Sequence, residues 1–76
     1  DYLFLPFTDP TNGKTSYSGG RYIDLSIPKS NRIRIDFNQA YNPYCAYSGD
    51  YSCPVPPKEN NLQVPITAGV KAYRQH

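Results

Sequence analysis

Two segments with strictly alternating apolar and polar residues constrain the fold of this chain more than any other feature. Residues 21–27 (RYIDLSI) and 32–38 (RIRIDFN) each place an apolar side chain at every second position. These positions are Ile23, Leu25, Ile27, Ile33, Ile35 and Phe37. A period of two is typical of a strand with one buried face. Because only PKSN separates the segments, the sequence predicts an antiparallel hairpin that buries Ile23, Leu25, Ile33, Ile35 and Phe37.

The charges on the polar face distinguish two registers of this hairpin. One register places Asp24 opposite Arg34, and the other places Asp24 opposite Asp36. Opposite charges attract across a strand pair, whereas two carboxylates repel unless a proton or a metal ion lies between them. The sequence therefore favours the register with Asp24 opposite Arg34.

The remaining pattern indicates one more strand and little helix. In residues 62–66 (LQVPI), Leu62, Val64 and Ile66 alternate again, and Pro65 indicates an edge strand or a bulge. No segment of helical length shows a 3.6-residue period, and the chain contains eight prolines and five glycines. We expect a mostly β fold, a small antiparallel sheet or a partial barrel or sandwich with long loops rich in proline and tyrosine.

Length and charge exclude several classes of protein. The 76 residues are enough for one domain, so we expect a single β domain over residues 1–76. The formal net charge is only +2 and shows no run of like sign, so no nucleic-acid partner is predicted. No apolar stretch reaches the roughly 18 residues of a membrane span. Nothing in the sequence indicates a cofactor.

The two cysteines enclose a short polar loop. Cys45 and Cys53 are separated by seven residues, including Ser48 and Gly49, so the chain can turn back on itself. We expect their Cα atoms to lie within the disulfide limit of about 7 Å. A metal site is not predicted, because zinc needs more sulfur or imidazole ligands than this chain offers. The sequence leaves a disulfide and a pair of reduced thiols both open, and with them the compartment, cytoplasmic or extracytoplasmic.

Residues 36–60 contain four tyrosines, four prolines and three asparagines, and this composition allows two interpretations. Tyrosine and asparagine side chains can hydrogen-bond a polar ligand while the rings stack on its apolar face. They can equally pack and cap loops in a domain that has few aliphatic residues. Under the first interpretation, the candidate ligand-binding residues are Arg21, Asp36, Asn38, Tyr41 and Tyr44.

Three hypotheses for the function follow from these residues. The first is a β module that binds a small polar or carbohydrate-like ligand. The second is a hydrolase-like enzyme fragment in which Asp36 and Glu59 supply the general acid and base and the guanidinium group of Arg21 binds a negatively charged group. The third is a purely structural domain, in which the stretch rich in tyrosine, proline and cysteine closes the barrel or sandwich of the complete protein, and Arg21 ties the long loop to the strand predicted over residues 32–38.

The motifs DFNQAYNPYCAY (residues 36–47), CPVPPKEN (residues 53–60) and PITAGVK (residues 65–71) also carry a resemblance. The chain resembles the C-terminal part of an uncharacterised prokaryotic family, domain of unknown function 1684. This resemblance implies a mostly β fold and no established activity, and it implies a further N-terminal portion, in the same protein or as a partner chain. The apolar opening DYLFLPF is interpreted in the same way, as a chain that lacks N-terminal residues. Similar sequences have glutamate where this chain has Val70.

Overall fold

The computed structural model describes residues 2–49 and 52–72. Two strands, β1 (Tyr2–Phe7) and β2 (Arg21–Ser26), form an antiparallel sheet. The other regular elements in this part of the chain are three single turns of 3₁₀ helix, at Phe37–Gln39, Tyr44–Ala46 and Lys58–Asn60. The expectation of a small antiparallel sheet with long loops and little helix is confirmed. No helix in the described ranges is long and apolar enough to cross a membrane.

The register of the sheet pairs Phe7 with Arg21 at one end and Tyr2 with Ser26 at the other. Side chains alternate between the two faces of a strand, so the odd-numbered residues of both strands share one face. This face carries Leu5, Phe7 and the predicted apolar pair Ile23 and Leu25. It is the face on which the core forms.

The core is small and lies at the Phe7 end of the sheet. Phe7, Ile23, Leu25 and Ala40 are buried, and four partly buried side chains pack against them: Leu5, Phe37, Leu62 and Ile66. The rings of Phe7 and Phe37 meet edge to face with their centroids 5.4 Å apart. The residues of the loops therefore cover the sheet from one side in place of a second sheet or a helix.

The predicted hairpin is wrong in its second strand. β2 pairs with β1 instead of residues 32–38, where residues 32–36 form no regular structure and Phe37–Gln39 forms a 3₁₀ turn. Ile33 and Ile35 are 42% and 39% exposed, whereas both were expected to be buried. Neither predicted register exists, because the carboxylate of Asp36 accepts a hydrogen bond from the backbone of Asn38 and begins a turn where a strand was expected.

The strand predicted over residues 62–66 is also wrong. Asn61 makes an isolated parallel bridge to Thr8, but residues 62–66 form no strand, and Val64 is exposed. Leu62 and Ile66 still reach the core, so the alternation identified the two inward side chains without identifying the backbone conformation.

An isolated β-bridge between Tyr22 and Tyr41 shows in which direction the peptide groups of both strands point. Tyr22 donates to and accepts from Tyr41, with N–O distances of 2.9 and 2.8 Å, so the peptide groups of Tyr22 point away from β1. Successive peptide groups alternate in direction along a strand. The peptide groups of Asp24 and Ser26 therefore also point outward from β2, and those of Tyr2 and Phe4 point outward from β1.

Candidate functional site

Arg21 is completely buried at the start of β2. Its guanidinium group donates to the carboxylate of Asp9 at 3.2 Å and lies 5.3 Å from the centre of the Phe7 ring. It also donates to three backbone carbonyl oxygens of the C-terminal segment, those of Ile66, Ala68 and Val70, over 2.8, 2.8 and 3.2 Å. The sequence identified Arg21 but not Asp9, its ionic partner.

Asp9 is the second member of this buried pair, and it is held by several donors. The backbone N–H of Ile66 donates to it over 2.7 Å, and both the backbone and the hydroxyl of Thr11 donate to it as well. Burial alone raises the pKa of Asp9, but these hydrogen bonds and the one from Arg21 outweigh burial, so the pKa lies below its ordinary value. Asp9 is therefore an ionised anchor for the loop.

The other predicted binding residues are found in two hydrogen-bonded pairs, Asp36 with Asn38 and Tyr41 with Asp24, and in the exposed ring of Tyr44. Asp36 accepts from the backbone and side-chain nitrogens of Asn38 at 3.0 and 3.1 Å. The hydroxyl of Tyr41 donates to Asp24 at 2.9 Å, and burial together with this hydrogen bond raises the pKa of Tyr41 to about 12. Tyr44 is 72% exposed.

A cleft opens along the outer edge of β2, and we call it the β2 cleft. Its volume is about 460 Å³, and it lies between residues 23–28 and the returning segment 32–36. The polar residues that line it are Asp24, Ser26, Arg32, Arg34, Asp36 and Gln39. The apolar residues that line it are Ile23, Leu25, Ile27, Pro28 and Ile33. The sequence had named only Asp36 among the polar group as a site residue.

The backbone of β2 contributes polar groups to the same cleft. The peptide groups of Asp24 and Ser26 point away from β1, and within residues 2–49 and 52–72 they make no hydrogen bond to residues 32–36. The expected hairpin would have used these donors and acceptors. Because the two segments do not pair, the groups stay available on a rigid strand.

The three residues of the hydrolase hypothesis do not share one cleft. Asp36 lines the β2 cleft, whereas Glu59 lines a separate, mostly apolar pocket of about 160 Å³ beside Phe37 and Leu62. Arg21 is bound to Asp9 in the core. In the described part of the chain, no group of three or more His, Cys, Asp or Glu side chains could hold a metal ion.

The cysteine prediction is confirmed. Cys45 and Cys53 form a disulfide, and their Cα atoms are 6.3 Å apart. Pro54, which follows Cys53, lies beside the sheet face opposite the core, where its carbonyl oxygen accepts a hydrogen bond from the hydroxyl of Tyr22 at 2.6 Å. The Tyr22 ring also meets Phe4 and Tyr41 edge to face. Tyr22 therefore joins the second face of β2 to the segment that follows the disulfide.

The architecture has a counterpart among known proteins. The family model described as "Protein of unknown function (DUF1684)" matches residues 1–71. This chain belongs to the DUF1684 family. The predicted resemblance is thereby confirmed. The search of curated proteins gives no match.

One solved structure extends the DUF1684 comparison. The solution NMR structure of an uncharacterised protein of Haloarcula marismortui is 46% identical and superposes with a TM-score of 0.81. The match covers 99% of this chain but only 43% of the H. marismortui protein. This DUF1684 chain therefore spans less than half the length of that relative.

Sequence reasoning missed the cleft residues for a physical reason. The charge pattern predicts a cross-strand ion pair between Asp24 and Arg34, and this prediction depends on the hairpin closing. The signal in the sequence was a pair of cations, Arg32 and Arg34, in an alternating segment. They line a cleft only because residues 32–36 do not pair with β2.

Proposed function

We propose that this chain is a β module that binds a small, neutral, many-hydroxyl ligand, such as a carbohydrate, in the β2 cleft. The observation that carries the proposal is the charge balance of the lining, which has two carboxylates, Asp24 and Asp36, and two guanidinium groups, Arg32 and Arg34. An ionic ligand would meet like charges as well as opposite ones. A neutral ligand with hydroxyl groups can donate to the carboxylates and accept from the guanidinium groups.

The apolar part of the lining supports the same class of ligand. Small-molecule sites combine apolar walls with a few polar groups that fix the orientation of the ligand. Ile27 and Ile33 are exposed, at 54% and 42%, on the two sides of the β2 cleft. They offer an apolar contact for the C–H faces of a sugar ring, next to the side-chain amide of Gln39.

The framework around the cleft holds the polar groups in place. β2 is paired with β1 along its inner edge and begins at Arg21, whose buried guanidinium group joins it to the Asp9 loop. Asp36 is fixed on the other side by its hydrogen bonds to Asn38. Asp24 and Ser26, which are mounted on the paired strand β2, therefore lose little conformational entropy on binding. In this proposal Arg21 is a positioning residue and does not contact the ligand.

The test is an NMR titration of the isotope-labelled chain with glucose, N-acetylglucosamine and myo-inositol, with inorganic phosphate and succinate as ionic probes. We expect the amide signals of Asp24, Ser26 and Ile33 to shift with a neutral probe. Arg34→Ala should weaken that binding at least about tenfold, which corresponds to about 1.4 kcal/mol. Lys58→Ala, which removes a cation away from the cleft, should leave it unchanged.

Two outcomes would contradict the proposal. In the first, none of the three neutral probes shifts the cleft amides at millimolar concentration. In the second, phosphate or succinate binds there more tightly than any of the neutral probes, which would show that the balance of charge does not select the ligand.

A further inference from the structure

The outer edge of β1 is apolar and bare over its first half. Tyr2, Leu3 and Phe4 are 73%, 44% and 47% exposed, so both faces of the strand are open there. Residues 2–7 carry no charged side chain and only one proline, Pro6. Natural proteins usually protect an edge strand with charges, prolines, bulges or a covering segment, because an unprotected edge pairs with other chains.

The second half of the same edge is already covered. The side-chain amide of Asn60 donates to the carbonyl oxygen of Pro6 at 2.7 Å, and Thr8 exchanges hydrogen bonds with Asn60 and Leu62 at 3.2 and 2.8 Å. The outward peptide groups of Tyr2 and Phe4 have no such partner among the described residues. The protection of this edge therefore stops at the point where the exposed apolar side chains begin.

We propose that the bare edge at Tyr2–Phe4 is the docking site for a β-strand from the part of a DUF1684 protein that lies outside the region matched here. The H. marismortui relative shares this region at 46% identity, yet the region is only 43% of its length. More than half of that protein is therefore chain that could cover the edge. A two-stranded sheet is marginally stable alone, and a third strand would relieve this.

The chemistry of the edge specifies what docks. The outward N–H and C=O groups of Tyr2 and Phe4 would exchange ladder hydrogen bonds with an extended segment, which is the general mode of strand addition. Leu3 on the core face and Phe4 on the opposite face would each meet an apolar neighbour, so the incoming strand is apolar on both faces. The outer edge of β2 is a weaker candidate, because the residues beside it include two carboxylates and two guanidinium groups.

Strand docking at the bare edge of β1 is independent of ligand binding in the β2 cleft. The bare edge of β1 and the β2 cleft lie at opposite edges of the sheet, because β1 and β2 are its only strands in the described ranges. Protection of the Tyr2 and Phe4 amides at one edge and ligand-induced shifts of the Asp24 and Ser26 amides at the other are therefore separate measurements.

Hydrogen–deuterium exchange of this chain and of the longer H. marismortui relative tests the inference. In this chain, the amides of Tyr2 and Phe4 should exchange nearly as fast as in an unfolded peptide, while those of Ile23 and Leu25 are protected. In the relative, the amides aligned with Tyr2 and Phe4 should exchange at least about 100-fold more slowly than here. Equal exchange rates in the two proteins would overturn the proposal.

A pair of lysine variants separates strand docking from self-association. Phe4→Lys places a charge on the bare edge, and Val55→Lys places the same charge at an apolar residue that is 85% exposed and outside the sheet. Both variants of this chain should keep the wild-type amide spectrum around Ile23. In the longer relative, lysine at the position aligned with Phe4 should restore fast exchange along the edge, and lysine at the position aligned with Val55 should not.

The oligomeric state supplies the last criterion. If sedimentation equilibrium shows that this chain forms dimers, and Phe4→Lys but not Val55→Lys abolishes them, the edge is an interface between copies and the proposal is wrong. If this chain stays monomeric while the aligned amides of the relative are protected, the occupant is the additional part of the longer protein.

Discussion

Nη2 of Arg21 lies 3.2 Å from Oδ1 of Asp9, and both side chains are inaccessible to solvent. The pair joins β2 to the loop that follows β1, and the carbonyl oxygens of Ile66, Ala68 and Val70 accept hydrogen bonds from the two terminal nitrogens of the guanidinium group. One side chain thus connects three distant segments of a chain whose apolar core is small. We expect it to dominate the stability of the domain.

Arg21→Met should lower the free energy of unfolding by about 3–5 kcal/mol, because it leaves the Asp9 carboxylate buried without its counter-ion. Urea unfolding followed by tyrosine fluorescence measures the change. Arg32→Met is the matched control, since Arg32 is exposed, and it should cost less than about 1 kcal/mol. Equal losses in the two variants would show that the buried pair has no special role.

The stability should fall in acid through the titration of Asp9. Its pKa is lowered in the folded state, so the unfolded chain binds a proton first as the pH decreases. The stabilisation by Asp9 is therefore complete above its unfolded pKa of about 4 and is lost as the pH falls through the folded value. Comparing Asp9→Asn with the wild type by urea unfolding, we expect a constant difference near neutral pH and a shrinking one below about pH 4. A difference that is constant down to pH 2 would be inconsistent with this account.

Gly69 should not tolerate a side chain. Its φ angle is +85°, and a Cβ atom there would lie 2.5 Å from the carbonyl oxygen of Phe37 and 2.9 Å from the Cβ atom of Ala40. Gly69→Ala should therefore lower the free energy of unfolding by about 1–3 kcal/mol. Gly49→Ala is the control, because a Cβ atom there meets nothing within 4 Å. We expect it to be neutral or to stabilise slightly. Thermal unfolding that ranks the two variants in the opposite order would contradict the packing around Gly69.

Tyr41 should ionise at a higher pH than a free tyrosine. Burial, and then the hydrogen bond to Asp24, raise its pKa to about 12. Its stabilising effect is thus complete below about pH 10, the unfolded value, and is lost as the pH rises through about 12. In an NMR titration of the tyrosine ring carbons, Asp24→Asn should lower the pKa of Tyr41, whereas Asp36→Asn should not. An identical Tyr41 pKa in the wild type and Asp24→Asn would remove Asp24 from the explanation.

The disulfide should contribute to stability through its short loop. Cys45 and Cys53 are eight positions apart, and closing a loop of that size stabilises the folded state by about 2.5 kcal/mol in the chain-entropy model. The double variant Cys45→Ser/Cys53→Ser should lose that amount in urea unfolding. Thiol counting in denaturant should find no free thiol without reductant and two with it. Free thiols in the unreduced protein would contradict the disulfide.

The sequence by itself determined which residues of β2 face the core. The alternation in residues 21–27 correctly predicted a strand that buries Ile23 and Leu25. The short loop between Cys45 and Cys53 correctly predicted their proximity. These features are local, since the direction of a side chain on a strand and the reach of a seven-residue loop depend on few neighbouring residues.

Only the tertiary structure decided which strand β2 pairs with. By their alternation, residues 32–38 are as suitable a partner for β2 as β1 is. A period of two defines which side chains share a face, and it contains no information about the partner strand. β1 lies beyond a long loop, and the buried contact between Asp9 and Arg21 holds that loop in place. The two residues of this ion pair lie on different segments of the chain, so the sequence around one residue does not indicate that the other is its partner. The same choice of partner leaves residues 32–36 unpaired and opens the β2 cleft.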